Sequence, residues 1–326
     1  IMQFFGLNGR SIIALISGGA CAIPAIMSTR TISNWKERLI TIMVTPLISC
    51  SARIPVYTVL IGFVVPAQVI GVFNLQGLAF MGLYLLGIVA ALGSALLFKG
   101  IIRSGEGSYL MLELPEYRLP VMRNVGFTVW EKVKTFIWEA GKIIFFISIA
   151  LWFLASYGPG QSMENALSEA TKQAASQNLD ETATANLIAS KQLEASYAGH
   201  FGKFIEPAIR PLGFDWKMGI ALITSFAARE VFVGTMATIY SIGSDEDEFA
   251  VRKQMAAEIR PETGKPVYDM PTALSLLIFY AFAMQCMSTL AVVKRETNSY
   301  KWPLIQFFFF SALAYLGSLL VYQLFS

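Results

Sequence analysis

The residues of this chain whose types and settings suit chemistry are three cysteines, one carboxylate and a few thioethers. Cys21, Cys50 and Cys286 each lie inside apolar sequence, far apart along the chain. Cys21 follows Gly18-Gly19-Ala20 and precedes Pro24. Cys50 is flanked by Ser49 and Ser51, three residues before Arg53, between Pro46 and Pro55. Glu230 sits beside Arg229 in the middle of another apolar segment, and Met27, Met236 and Met287 lie in the same neighbourhoods. Thiolates and thioethers are soft metal ligands, and mixed sites accept Fe2+. A single isolated cysteine is more simply a small buried hydrophobe. Recurrence at breaks in apolar segments is what favours a metal path. Burying an Arg at the bilayer centre costs about 2.5–3.5 kcal/mol on insertion scales. Arg53 and Arg229 therefore need a cavity, a partner or the interface. Adjacent helical residues point about 100° apart, so Arg229 and Glu230 need not pair with each other.

Other chemistries are missing from the sequence. There is no CxxC pair and no secreted disulfide framework. No phosphate-binding loop, HExxH or GxSxG occurs, and the one histidine, His200, lies in a polar stretch. No catalytic centre is recognisable, so the chain itself reads as a non-enzyme.

The elements that must hold these residues are membrane helices. Apolar residues make up 55% of 326 and charged residues only 14%, against about 25% charged in a soluble domain. No charge occurs from Ile54 to Phe98, Ile143 to Met163, Pro271 to Val293 or Trp302 to Ser326. A spanning helix needs about 20 apolar residues; the first gap holds two spans and each of the others one. A net charge of +3 is too small to suggest a nucleic-acid partner. The expected fold is an all-α polytopic helical bundle in the lipid bilayer. The chain opens at Ile1 directly on apolar sequence and reads as part of a longer protein.

A weak internal repeat organises the pattern. Ile13–Ser17 resembles Gly219–Thr224, and Met27-Ser28-Thr29 resembles Met236-Ala237-Thr238, which sets Cys21 against Glu230. Each unit precedes a span with a polar, cysteine-bearing centre, Leu47–Arg53 in one and Ala283–Thr289 in the other. Inverted repeats of a re-entrant hairpin and a broken helix are a transporter plan, with binding sites near the midplane. Gly18, Gly19 and Pro24 suit a hairpin; Pro46 and Pro55 suit a discontinuous helix. The expected organisation is a first gate repeat at 1–72 and scaffold spans at 73–157 with a cytoplasmic interfacial segment at 99–142. A polar external loop and lead-in follows at 158–217, with a helix in it. A second gate repeat occupies 218–301 with a polar loop at 241–270, and a last span 302–326.

Topology follows from charge. With both ends of the first hairpin in the cytoplasm, Arg10, Arg30, Lys36, Arg38 and the basic 99–142 stretch lie inside, and the acidic Gly158–Gly199 loop outside. For 218–240, loop charges do not choose between a hairpin and a full span: four Lys/Arg lie in 241–269 and three in 294–301. The repeat favours the hairpin.

These motifs carry a family resemblance. Gly18–Thr31 resembles the first gate motif of the ferrous iron transport protein B family, and Pro46–Tyr57 the motif that follows it. Ala228–Thr235 resembles the second gate. Gln285-Cys286 through Arg295-Glu296-Thr297 and Trp302-Pro303 resembles the C-terminal spans, and Glu113–Pro120 with Arg123-Asn124 also fits. The residue after the first gate cysteine is commonly Asn in that family; here it is Ala22. The resemblance implies uptake of Fe2+ across a bacterial inner membrane, with the ion passing Cys21, Cys50, Cys286, Glu230 and nearby methionines. It implies that GTP and Mg2+ belong to an N-terminal G domain outside this chain, which gates transport, and that no cofactor resides here. An FeoA-type small cytoplasmic partner and a homo-oligomer are further expectations. Two other readings stand beside it. A nucleoside-type carrier, with similar hairpins, would need amides and carboxylates at the tips, for which Gln285, Glu230 and Asn298 are sparse. A thiol-redox membrane protein without transport would need cysteines close enough to cross-link.

Overall fold

The computed structural model describes residues 2–66, 68–70, 73–102, 121–177, 181–226, 229, 231–240, 266–284 and 286–326. Glu230, Gln285, the 113–120 motif and most of the 241–270 loop lie outside the described residues. Within them the chain is helical, apart from a two-residue antiparallel ladder joining Val69–Ile70 to Phe73–Asn74. Among the described residues, four stretches are long and apolar enough to cross a membrane: Trp35–Val64, Leu75–Ile102, Met270–Thr297 and Lys301–Phe325.

The chain divides into two compact units. One comprises Ile1–Ser51, Tyr84–Phe146 and Met287–Phe307; the other comprises Ala52–Leu83, Ile147–Cys286 and Phe308–Ser326. Two of the boundaries fall at Ser51/Ala52 and Cys286/Met287, next to two of the cysteines.

In the first unit, α1 (Ser11–Gly18) and α2 (Ala22–Ser28) form a hairpin. The Arg10 guanidinium closes its base on the Thr31 carbonyl at 2.8 Å. An eight-residue helix is about 12 Å long, far short of the roughly 30 Å hydrocarbon core, so this element re-enters rather than spans. α3 (Trp35–Val44) starts on the Asn34 side chain, which accepts from the Lys36 amide. It runs into a 3-10 turn, Thr45–Leu47, at Pro46. Its face joins a buried cluster of Ile23, Ile26, Ile42, Val292 and Val293, against which Cys21, Met27 and Trp302 pack.

The second unit holds α4 (Ile54–Val64), with Pro55 in its first turn where no N–H is required. The long helices α5 (Leu75–Ile102) and α6 (Met122–Ser156) run through both units' residue ranges. The interfacial sequence before residue 143 continues without a break into the apolar half of α6. The polar stretch, expected to hold a helix, contains α7 (Ser162–Gln177), α8 (Glu181–Ala195) and the start of α9 (Tyr197–Ile209). Their alanines let the helices approach closely: Ala166 and Ala170 are buried.

Next come α10 (Trp216–Thr224), capped by the Asp215 carboxylate on the Met218 amide at 2.9 Å, and α11 (Val231–Ile239). The Thr224 and Thr235 hydroxyls meet at 2.8 Å. Ile220 and Ile239 share one cluster with Leu193 and Ala198, so the two nine-residue arms run back along each other. This is the second hairpin, again too short to span. α12 (Met270–Phe282) is capped by Asp269 and followed, after a break, by α13 (Met287–Thr297). α14 (Lys301–Phe325) ends the chain.

Glu296 sets the side on which α13 ends. Its carboxylate, 3% exposed, accepts from Arg30 at 2.5 Å, Arg38 at 2.8 Å and Arg295 at 3.2 Å, all within the first unit. Residues 295–296 therefore lie at the same level as the base of the first hairpin. The choice that loop charges left open is made by α10 and α11 themselves, which lie antiparallel with Thr224 against Thr235.

Candidate metal-ion path at the hairpin tips and helix breaks

The tip of the first hairpin is Gly18–Cys21. Cys21 has extended backbone (φ −154°, ψ 134°) and stands immediately before α2. Gly18 approaches Thr45: an added Cβ would meet its Cγ2 at 3.2 Å. Across from the tip is the break that follows Pro46. The Ser51 hydroxyl donates to the Ala20 carbonyl at 2.9 Å, and the Ser51 amide reaches the same oxygen at 3.4 Å. Ala20 precedes Cys21 and Ser51 follows Cys50. Covalent geometry then holds the two cysteine α-carbons within about 9 Å of each other. Cys50 is also close to the midpoint of the Trp35–Val64 stretch.

Side chains satisfy the backbone freed here, as irregular chain at membrane depth demands. At the end of α3 the Thr45 hydroxyl adds a second bond, at 2.6 Å, to the Thr41 carbonyl that its own amide already reaches. α5 comes so near the break that a Cβ on Gly87 would lie 3.0 Å from the Leu47 carbonyl and 3.3 Å from the Ser49 hydroxyl. Ser49 is buried at 1%. Cys21 and Cys50 are each part-buried.

The second unit repeats the arrangement with different chemistry. The hairpin turn carries Arg229, 5% exposed, whose Nη2 donates to the Ala283 carbonyl at 3.1 Å. Ala283 ends α12 and opens the break that contains Cys286, the residue just before α13. A guanidinium thus performs in this repeat the tie that a serine performs in the first. The Arg229 Nε and Nη1 have no hydrogen-bond partner among the described residues. Cys286 is part-buried. Arg53, at the start of α4, is fully buried at 0%.

The methionines differ in setting. Met27 lines the cluster beside Cys21. Met236 is completely buried, and its sulfur accepts from the Tyr268 hydroxyl at 3.8 Å, while Tyr240 also bonds Tyr268. Met287 is 40% exposed. Among the described residues, no three His, Cys, Asp or Glu side chains group closely enough to hold a metal ion.

Sequence reasoning overlooked three participants: Glu296, Gln306 and Gly87. The first two had a visible signal. Glu296 is an acid among basic residues at the end of a span, and Gln306 is an isolated amide in Trp302–Phe310. Polar groups in such places face protein.

Short re-entrant hairpins, each tied at its tip to the break of a polar-centred helix, define a polytopic membrane protein of transporter architecture. Comparison with known proteins gives the family. The Gate model, described as nucleoside recognition, matches residues 1–64 and 137–300, and the model for the ferrous iron transport protein B C terminus matches 80–132. The chain belongs to the gate family. It is similar to the "Fe(2+) transporter FeoB" of Leptospira interrogans, with 47% identity over 99% of this chain and 44% of the relative. A Porphyromonas gingivalis "Fe(2+) transport protein A/Fe(2+) transporter FeoB fusion protein" is 38% identical over 99% of this chain and 39% of its own length. The "Fe(2+) transporter FeoB" of Methanocaldococcus jannaschii is 33% identical over 98% and 42%. The chain spans less than half the length of these curated relatives. No solved structure matches it.

Proposed function

We propose that this chain is the membrane permeation region of a bacterial ferrous iron importer of the inner membrane. The observation that carries the reading is the pairing of each hairpin tip with a cysteine-bearing break, Ala20 with Ser51 and Arg229 with Ala283. The names of the relatives supply the ion.

In this reading Fe2+ passes a series of stations rather than one cage. Cys21 and Cys50 form the first pair, with Met27 beside them, and Cys286 belongs to a second station at the other break. Glu230, next to Arg229 in the sequence, is the carboxylate assigned to the same path. Sulfur ligands suit the soft side of Fe2+ chemistry, and few ligands per station let the ion leave as well as enter. Met236, already engaged by Tyr268, and the exposed Met287 carry less weight than Met27. Gly18, Gly19, Pro24, Pro46 and Pro55 shape the tips and breaks, with Ser49, Ser51, Arg53 and Arg229 holding them. GTP and Mg2+ act in a separate N-terminal domain, and an FeoA-type protein is the cytoplasmic partner, as the fusion relative suggests. The domain limits at 72, 157, 217 and 301 remain the working division.

Uptake of Fe2+ under reducing conditions by the full-length protein in proteoliposomes tests this. Cys50→Ser and Cys21→Ser should each reduce uptake severalfold or more. Unchanged uptake in both would overturn the site assignment. Absence of Fe2+ flux in the unsubstituted protein, with flux of a nucleoside, would overturn the function.

A further inference from the structure

Pro46 leaves one carbonyl of α3 without its donor. In an uninterrupted helix the residue-46 amide would bond to the Ile42 carbonyl, but proline has no N–H. Ile42 is fully buried, so water cannot take over. Gln306, on α14 and itself 0% exposed, fills the gap: its Nε2 donates to the Ile42 carbonyl at 3.2 Å and to the Met43 carbonyl at 3.0 Å. Both neighbours are acceptors, so the amide must present its nitrogen to them. Its Oε1 is buried with no hydrogen-bond partner among the described residues, so only the donors hold the side chain in register. All of these residues belong to the first unit.

We propose that Gln306 is a positioning residue for the ion path. By replacing the donor that Pro46 lacks, it sets where α3 stops and the Ile48–Cys50 segment begins. The consequence for ion flux rests on the function proposed above; the contact and its effect on Cys50 do not.

The test uses full-length protein in two single-cysteine backgrounds, one retaining Cys50 and the other Cys286. Gln306→Leu, Pro46→Ala and the double substitution are compared there by the rate of thiosulfonate labelling, and by Fe2+ uptake in the protein that keeps all of its cysteines. Gln306→Leu should change the Cys50 labelling rate about tenfold, the equivalent of one lost buried hydrogen bond. The Cys286 rate should change by less than about twofold. With Pro46→Ala, residue 46 brings its own N–H, so adding Gln306→Leu should shift the Cys50 rate by less than about threefold. Gln306→Glu, which donates one bond when protonated, should fall between Gln and Leu. Equal effects of Gln306→Leu in the proline and alanine backgrounds, or equal changes at both cysteines, overturn the proposal. If Gln306→Leu fails to accumulate, recovery in the Pro46→Ala background supports it and continued absence overturns it. Labelling changes as expected in a protein without Fe2+ flux would retain the positioning role and remove the iron reading.

Discussion

Replacing Glu296 with Gln should loosen the base of the first hairpin. The carboxylate has 3% exposed side chain and binds three guanidinium groups, whose side chains are 49% (Arg30), 20% (Arg38) and 35% (Arg295) exposed. The half-exposed Arg30 contributes at most about 1 kcal/mol despite its two hydrogen bonds, because water screens it. The Arg38 bond is largely withdrawn from water and contributes about 1.5–3 kcal/mol as a charge-assisted hydrogen bond. Arg295 adds little, at 3.2 Å from a neighbour in sequence. The cluster therefore amounts to about 2–4 kcal/mol, and Glu296→Gln, which keeps one acceptor oxygen, should lose about half of it. The assay is unfolding in detergent of Glu296→Gln, Arg38→Gln and the double variant. Because the two groups touch, a coupling energy of about 1–3 kcal/mol is expected. Effects that add within about 0.5 kcal/mol would refute the reasoning. A second signature is ionic strength. The loss from Arg30→Gln should shrink in molar salt and that from Arg38→Gln should persist, since burial limits screening.

Other outcomes follow from the same geometry. Gly87→Val places a side chain within 3.0 Å of the Leu47 carbonyl; overpacking of about 1–3 kcal/mol should lower thermal stability, whereas Gly82→Val, with nothing within 4 Å, should not. Arg229→Met removes the tie to Ala283 and should raise the Cys286 labelling rate; an unchanged rate would show that the bond does not hold the break. Outside the membrane, burial pushes the Glu194 carboxyl up, but Lys203 at 3.0 Å and Lys191 at 3.6 Å outweigh it and hold its pKa below the usual carboxylate value. Its contribution is thus present above the unfolded pKa and is lost as pH falls through the folded one. Hydrogen exchange in 181–209 should quicken as pH falls below the ordinary carboxylate range, and Glu194→Gln should flatten that dependence.

Much of this molecule was legible in its sequence, for reasons that are local. Charge-free runs mark spans because hydrocarbon does not tolerate ions. Gly18-Gly19 and Pro46 point to breaks because glycine weakens a helix and proline removes a donor, although α5 carries five glycines and α9 an internal proline without a break. The repeat, although weak, aligned α1 and α2 with α10 and α11, and Cys50 with Cys286. The tertiary structure decided the rest. Whether 218–240 re-enters or spans was undecidable from loop charges, and became decidable when α11 folded back on α10 with Thr235 against Thr224. The meeting of Arg30 and Arg38 with Glu296, more than 250 residues away, was also beyond the reach of local pattern. The partnership of Pro46 with Gln306 is equally remote. The sequence shows that a carbonyl loses its donor at Pro46, because proline lacks an N–H. Which side chain supplies the substitute depends on the packing of α14 against α3, and only the folded chain brings them together.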